Sequence, residues 1–201
     1  MQFAQNASYD DLEKLLQIAM AEQNLQRRVE LIWGLRRATV QIPEEIISKL
    51  LTSENEDIRD TAFYILKKNP SPKMRDYALS LIISGEDIVN AISLLSKNIL
   101  PEDEQLFCDA VKSIPANYSE GDWHSAFMSA EDGMKNLRGK PKTDILEYLY
   151  RNQLCGSCRE WIVRLMHKKK ILPDEILQEC RYDSNSDVRD FAERIIKNKQ
   201  S

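Results

Sequence analysis

The residues most able to do chemistry in this chain of 201 residues are four cysteines (Cys108, Cys155, Cys158, Cys180) and two histidines (His124, His167). Cys155-Gly156-Ser157-Cys158 sets two thiols at the spacing of a redox pair or of half a zinc site. A redox pair of that kind belongs in a βαβ setting, and the sequence carries no strand pattern. A zinc site needs two more ligands, for which His167 and Cys180 are the available residues. The alternative is a small buried cysteine in a core position, which is ordinary for this residue. Neither histidine lies in a nucleophile pattern with a cysteine or serine, and there is no HExxH and no glycine-rich phosphate loop. The absence of every local catalytic motif points away from an enzyme, and no metal or cofactor is expected.

Composition narrows the classes further. Apolar residues make up 42% and charged residues 30%, which suits an ordered globular chain. The formal net charge of -4 argues against a surface built to neutralise phosphates. Met1-Gln2-Phe3-Ala4-Gln5-Asn6 has neither a basic region nor an apolar core, so no secretory signal is expected. No apolar run approaches the roughly 18 residues of a spanning helix. Sparse cysteines do not suit a disulfide framework, and a cytoplasmic, reducing setting follows as the expectation.

These residues are positioned by a duplicated unit. Asn55-Glu56-Asp57-Ile58-Arg59-Asp60-Thr61-Ala62 returns 130 positions later as Asn185-Ser186-Asp187-Val188-Arg189-Asp190-Phe191-Ala192. The same shift carries Ile42-Pro43-Glu44-Glu45-Ile46-Ile47 onto Leu172-Pro173-Asp174-Glu175-Ile176-Leu177. Two motifs sharing one offset argue for a helix, a turn and a second helix used repeatedly. The first helix opens at Ser8, where Asp11 completes a capping box. First helices of later units open at Pro43, Pro72, Pro101, Pro141 and Pro173, because proline suits a first turn whose N–H lacks a partner. Second helices open near Asp57, Asp87, Asp122, Ser157 and Asp187, where acids and short polar residues meet free N–H groups. The expected fold is all-α: six helical hairpins over 8–38, 43–69, 71–98, 101–138, 141–170 and 173–199, forming one domain over 1–201. Within this register Cys158 falls on the core position Val188 and Cys155 on the cap position Asn185, which favours a structural role for the pair.

Asp183, Val188, Arg189 and Ala192 resemble the turn and second helix of a HEAT repeat, an armadillo-like family. The second unit keeps Ile58, Arg59 and Ala62 but has Ser53 in place of the aspartate. The fifth keeps Arg159 and has Gln153 there. The resemblance implies a right-handed α-α superhelix, a HEAT-like solenoid, whose second helices line the concave side. It also implies that the aspartate and arginine bond between neighbouring units. Asp57, Arg59, Asp183, Asp187 and Arg189 are accordingly assigned to the structural repeat motif.

Acids gather at first-helix starts (Glu44, Glu45, Glu102, Asp103, Asp174, Glu175) and bases at second-helix ends (Arg36, Arg37, Lys67, Lys68, Lys168, Lys169, Lys170, Lys197, Lys199). Both sets match the helix dipoles, so the basic clusters have a structural explanation before a nucleic-acid one. Trp161 and Phe191 share one repeat position beside the buried stripe. Tyr64, Arg164 and Arg194 share another, one turn on, expected as an exposed row. With Trp123 and Lys168 they form the expected partner-binding set. The segment from Ile114 to Gly121 interrupts the rhythm of the fourth unit and is expected at the surface. The expected function is a non-enzymatic scaffold that binds a protein segment on the concave face. A HEAT-like DNA-binding protein or DNA glycosylase acting on damaged bases is the alternative. Nucleic acid is disfavoured, no membrane is expected, and self-association through the C-terminal repeat follows from its typical sequence at the chain's end.

Overall fold

The structure is a computed structural model that describes residues 7–36, 44–68, 72–114, 120–141 and 143–200. The expected helix start at Pro43 and the centre of the insertion after Ile114 lie outside those residues. Among the described residues there are twelve α-helices and no strand. They are α1 (Tyr9–Ala21), α2 (Leu25–Leu35), α3 (Glu44–Leu51), α4 (Glu56–Lys68), α5 (Pro72–Ser84) and α6 (Ile88–Leu95). They continue as α7 (Glu104–Lys112), α8 (Glu120–Asn136), α9 (Thr143–Asn152), α10 (Gly156–Lys168), α11 (Asp174–Glu179) and α12 (Ser186–Gln200). Short 3₁₀ turns occupy Pro101–Asp103 and Cys180–Tyr182. No helix among the described residues is long and apolar enough to cross a membrane.

Local chemistry places the ends. At Ser8 the backbone N–H donates to Asp11 Oδ2 at 3.0 Å and the side-chain oxygen accepts from the Asp11 N–H at 3.3 Å, a complete capping box. Pro72 opens α5, Pro101 opens the 3₁₀ turn before α7, and Pro173 caps α11. Between α5 and α6 the chain reverses through two left-handed residues, Gly85 (φ 76°) and Asp87 (φ 43°). Glycine takes that conformation freely and aspartate tolerates it.

The chain divides into two compact units, 1–74 and 75–201. In the first, α1 packs on α2, α3 on α4, and α2 on α4. Leu12, Leu16, Ile32, Leu35, Leu50, Ile58, Ala62 and Ile65 form its interior. In the second unit α6 packs on α7 and α8, α8 on α9 and α10, α9 on α10, and α10 on α12. Second helices thus meet second helices in succession, α6 to α8 to α10 to α12. Phe107, Ile145, Leu146, Ile162, Met166, Ile176, Val188 and Ala192 fill the space between them. Each such Leu or Ile contributes about 1.5–3 kcal/mol on burial, and no single helix could bury its stripe alone.

Candidate functional site

A recurring turn between first and second helices positions the chemistry-bearing residues. Arg59 Nη1 donates to the carbonyls of Ser53 and Glu54 at 2.8 and 2.9 Å. Arg159 Nη1 donates to Gln153 and Leu154 at 2.9 Å each, and Arg189 Nη1 to Asp183 and Ser184 at 2.6 and 3.0 Å. In all three turns the residue six before the arginine accepts from the backbone N–H two residues on. Ser53 accepts from Asn55 at 3.2 Å, Gln153 from Cys155 at 3.1 Å and Asp183 from Asn185 at 2.8 Å. Ser53 and Gln153, departures from the aspartate by sequence, therefore do the same local work. Only Asp183 also takes an arginine from another helix pair: Arg159 meets its two oxygens at 2.8 and 2.9 Å. Arg159 first, through its hydrogen bonds, holds the Asp183 carboxyl below the ordinary aspartate range. Asp57 and Asp187 are exposed in the first turns of α4 and α12, where negative charge faces free N–H groups.

Sequence reasoning missed a fourth example of this turn. Arg28 donates to the Glu22 carbonyl, from Nε at 2.9 Å, and Asn24 caps α2 by accepting from the Arg27 N–H at 3.1 Å. Asn24 and Arg28 have the same spacing as Asn55 and Arg59 or Asn185 and Arg189, and that spacing was the available signal.

The partner-binding set falls in three kinds of place. Tyr64, Arg164, Lys168 and Arg194 are exposed. The Lys68 amine stands 4.9 Å above the Tyr64 ring. Arg164 and Arg194 lie 4.6 and 5.7 Å from the ring centre of Phe191, whose edge meets His167 at 5.6 Å. Trp161 is exposed while Phe191 is buried, so their shared repeat position does not share an environment. Trp123 is half-buried and packs edge-on against Phe127 at 4.9 Å. In the first unit Trp33 and Tyr64 line a recess of about 560 Å³ together with Glu30, Asp57 and Asp60.

Several basic second-helix ends have structural partners. Lys68 Nζ donates to the Arg36 carbonyl at 2.6 Å. Lys169 Nζ donates to the carbonyls of Leu137 and Gly139 at 2.9 and 3.1 Å, and Lys199 pairs with Asp174 at 2.6 Å. At the end of the chain Ile195 and Ile196 of α12 are half-buried.

The thiols find a different histidine from His167, which the sequence offered as a further ligand. His167 packs on Phe191, and the buried Cys180 thiol donates to the Tyr150 hydroxyl at 3.6 Å, so neither completes a site with the cysteine pair. His124, on α8, instead lies beside Cys158, whose sulfur is 3.9 Å from each ring nitrogen. Cys155 sits at the N-cap of α10 and Cys158 is buried in its first turn, the places implied by the register with Asn185 and Val188. Ligand atoms of His124, Cys155 and Cys158 all lie within 4.8 Å of one another. The Cys158 backbone N–H, and then its thiol, hold the Cys155 thiol below its usual pKa. Burial, and then Cys155, push Cys158 up to about 12. Gly156 is required between them, since an added Cβ would stand 2.9 Å from Asn185 Cβ. A cavity of about 540 Å³ opens beside this cluster, lined by Trp123, His124, Phe127, Asn152, Gln153, Leu154 and Cys155. Gln153 is only 7% exposed, and its Nε2 has no hydrogen-bond partner among the described residues. Sequence spacing could not reveal this grouping, because His124 and Cys158 belong to different helix pairs.

Comparison with protein-family models, with curated proteins and with solved structures finds no match for the chain in any of the three.

Proposed function

We propose that the helix pairs of each unit stack as HEAT-like repeats and that the protein is a non-enzymatic interaction module, binding a protein segment on the side formed by second helices. The observation that carries this reading is the exposure of Trp33, Tyr64, Trp161, Arg164 and Arg194, all on second helices, above cores already filled by aliphatic side chains. Aromatic and arginine side chains are the residue types that dominate binding energy at protein interfaces. The neighbour relations α2 to α4, and α6 through α8 and α10 to α12, support the stacking. In the first unit the recess beside Trp33 and Tyr64 carries three carboxylates, Glu30, Asp57 and Asp60, which disfavour a phosphate backbone. The pairing of Lys68, Lys169 and Lys199 with protein groups favours the protein reading over the DNA one.

Site-specific photo-crosslinking tests the proposal. A photoreactive residue at position 64 or 161 captures a protein partner, and one on a first helix, at position 49 or 179, does not. Equal capture at all four positions, or capture of DNA with affinity that falls steeply as salt rises, would overturn it.

A further inference from the structure

We propose that His124, Cys155 and Cys158 form a zinc site whose fourth coordination position opens onto the cavity lined by Trp123 and Gln153. Two thiolates and an imidazole are a ligand set that zinc prefers, and three protein ligands with one open position are the arrangement of zinc sites that bind an outside molecule. With zinc–sulfur distances of about 2.3 Å and zinc–nitrogen distances of about 2.0–2.1 Å, tetrahedral ligand atoms stand roughly 3.5–3.8 Å apart. Here the Cys158–His124 separations are 3.9 Å and no separation exceeds 4.8 Å. Closing the triangle therefore takes a change of about 1 Å in the ligand-atom separations, on the scale of side-chain rotation. The His124 ring must also turn, because it now offers both nitrogens at the same distance.

The surrounding structure holds the ligands for this role. Both cysteines ride on the turn that Arg159 clamps through the carbonyls of Gln153 and Leu154 and through Asp183. The Gln153 side-chain oxygen holds the Cys155 N–H at 3.1 Å, an outer-shell contact to a ligand residue. Gln153 lines the same cavity, and its Nε2 is buried without a hydrogen-bond partner among the described residues. On binding, the two thiols enter as thiolates and their protons pass to solvent.

The test uses the full chain, reduced and freed of metal. Zinc is titrated against a chromophoric chelator, and cobalt is added separately as a spectroscopic stand-in. We expect one zinc per chain and, with cobalt, thiolate-to-metal charge transfer with the intense visible bands of tetrahedral coordination. His124→Ala and Cys155→Ser each weaken zinc binding by about 100-fold or more, beyond what loss of an outer-shell partner costs. Cys180→Ala leaves zinc affinity unchanged. Both ligand substitutions fall on partly exposed residues, and circular dichroism checks that helix content is kept. Should either variant lose helix, the cobalt spectrum of the unsubstituted chain decides, tetrahedral sulfur ligation supporting the site and its absence overturning it. The proposal also fails if the reduced chain takes up less than one zinc, if affinity is indifferent to His124→Ala in a folded variant, or if Cys180→Ala weakens binding as Cys155→Ser does.

Discussion

Arg159 and Asp183 join one helix pair to the next through a two-pronged ion pair, Nε to Oδ2 at 2.8 Å and Nη2 to Oδ1 at 2.9 Å. The same guanidinium uses Nη1 to hold two carbonyls of its own turn. Asp183 in turn accepts from the Asn185 N–H, so both partners brace a turn while bracing each other. A lysine could not replace Arg159, because only the planar fork offers enough donors in fixed directions.

Removing the charge from Asp183 should therefore be costly. Asp183→Asn leaves Arg159 facing a poor acceptor in a largely covered position. We expect a loss of about 2–4 kcal/mol, slightly below the 3–5 kcal/mol typical of a fully buried pair, since Arg159 keeps some contact with water. Urea unfolding at neutral pH measures it.

Acid should act through the same pair. The folded-state pKa of Asp183 is depressed, chiefly by the Arg159 hydrogen bonds. Its contribution is complete above the ordinary aspartate value of about 3.9 and is lost as pH falls through the lower folded value. The stability difference between the unsubstituted chain and Asp183→Asn should shrink on acidification below about pH 4. A difference that stays constant down to pH 2 would show that the charge of Asp183 contributes nothing.

Gly133 offers a test of packing in α8. A Cβ there would stand 2.7 Å from Cζ of Phe107, a fully buried ring with little freedom to move. Gly133→Ala gains about 1 kcal/mol of helix propensity and loses roughly 1–3 kcal/mol to overpacking. The expected net effect is destabilisation, and Phe107→Leu in the same chain should relieve the clash. Thermal melts of the two single variants and the double variant separate these effects.

Arg28 tests whether the recurring turn is one device. Arg28→Ala removes a charged donor from the Glu22 carbonyl between α1 and α2. We expect about 1.5–3 kcal/mol of destabilisation, read by urea unfolding. The exposed Tyr64 and Trp161 should behave differently. Tyr64→Ala and Trp161→Ala should change stability by under about 1 kcal/mol while reducing partner capture in the crosslinking assay.

Helix content and the order of helices were legible in the sequence because their signals are local. Ser8 with Asp11, the prolines at 72, 101 and 173, and the apolar stripe of Ile58, Ala62 and Ile65 each act within a few residues of themselves. The exposure of Tyr64, Arg164 and Arg194 was legible for the same reason, since helical spacing sets which face a side chain takes. The turn around Arg59 and Arg189 was visible as a repeat, but its chemistry was not. Ser53, Gln153 and Asp183 look unlike one another, yet each presents an oxygen to the same N–H. The resemblance implied an aspartate–arginine bond between neighbouring units; tertiary structure decided that Arg159 is the arginine Asp183 takes, and that His124 rather than His167 stands beside Cys158. Those choices depend on how α8 sits against α10 and α10 against α12, which is set by the fit of many aliphatic side chains at once and leaves no spacing rule in the chain.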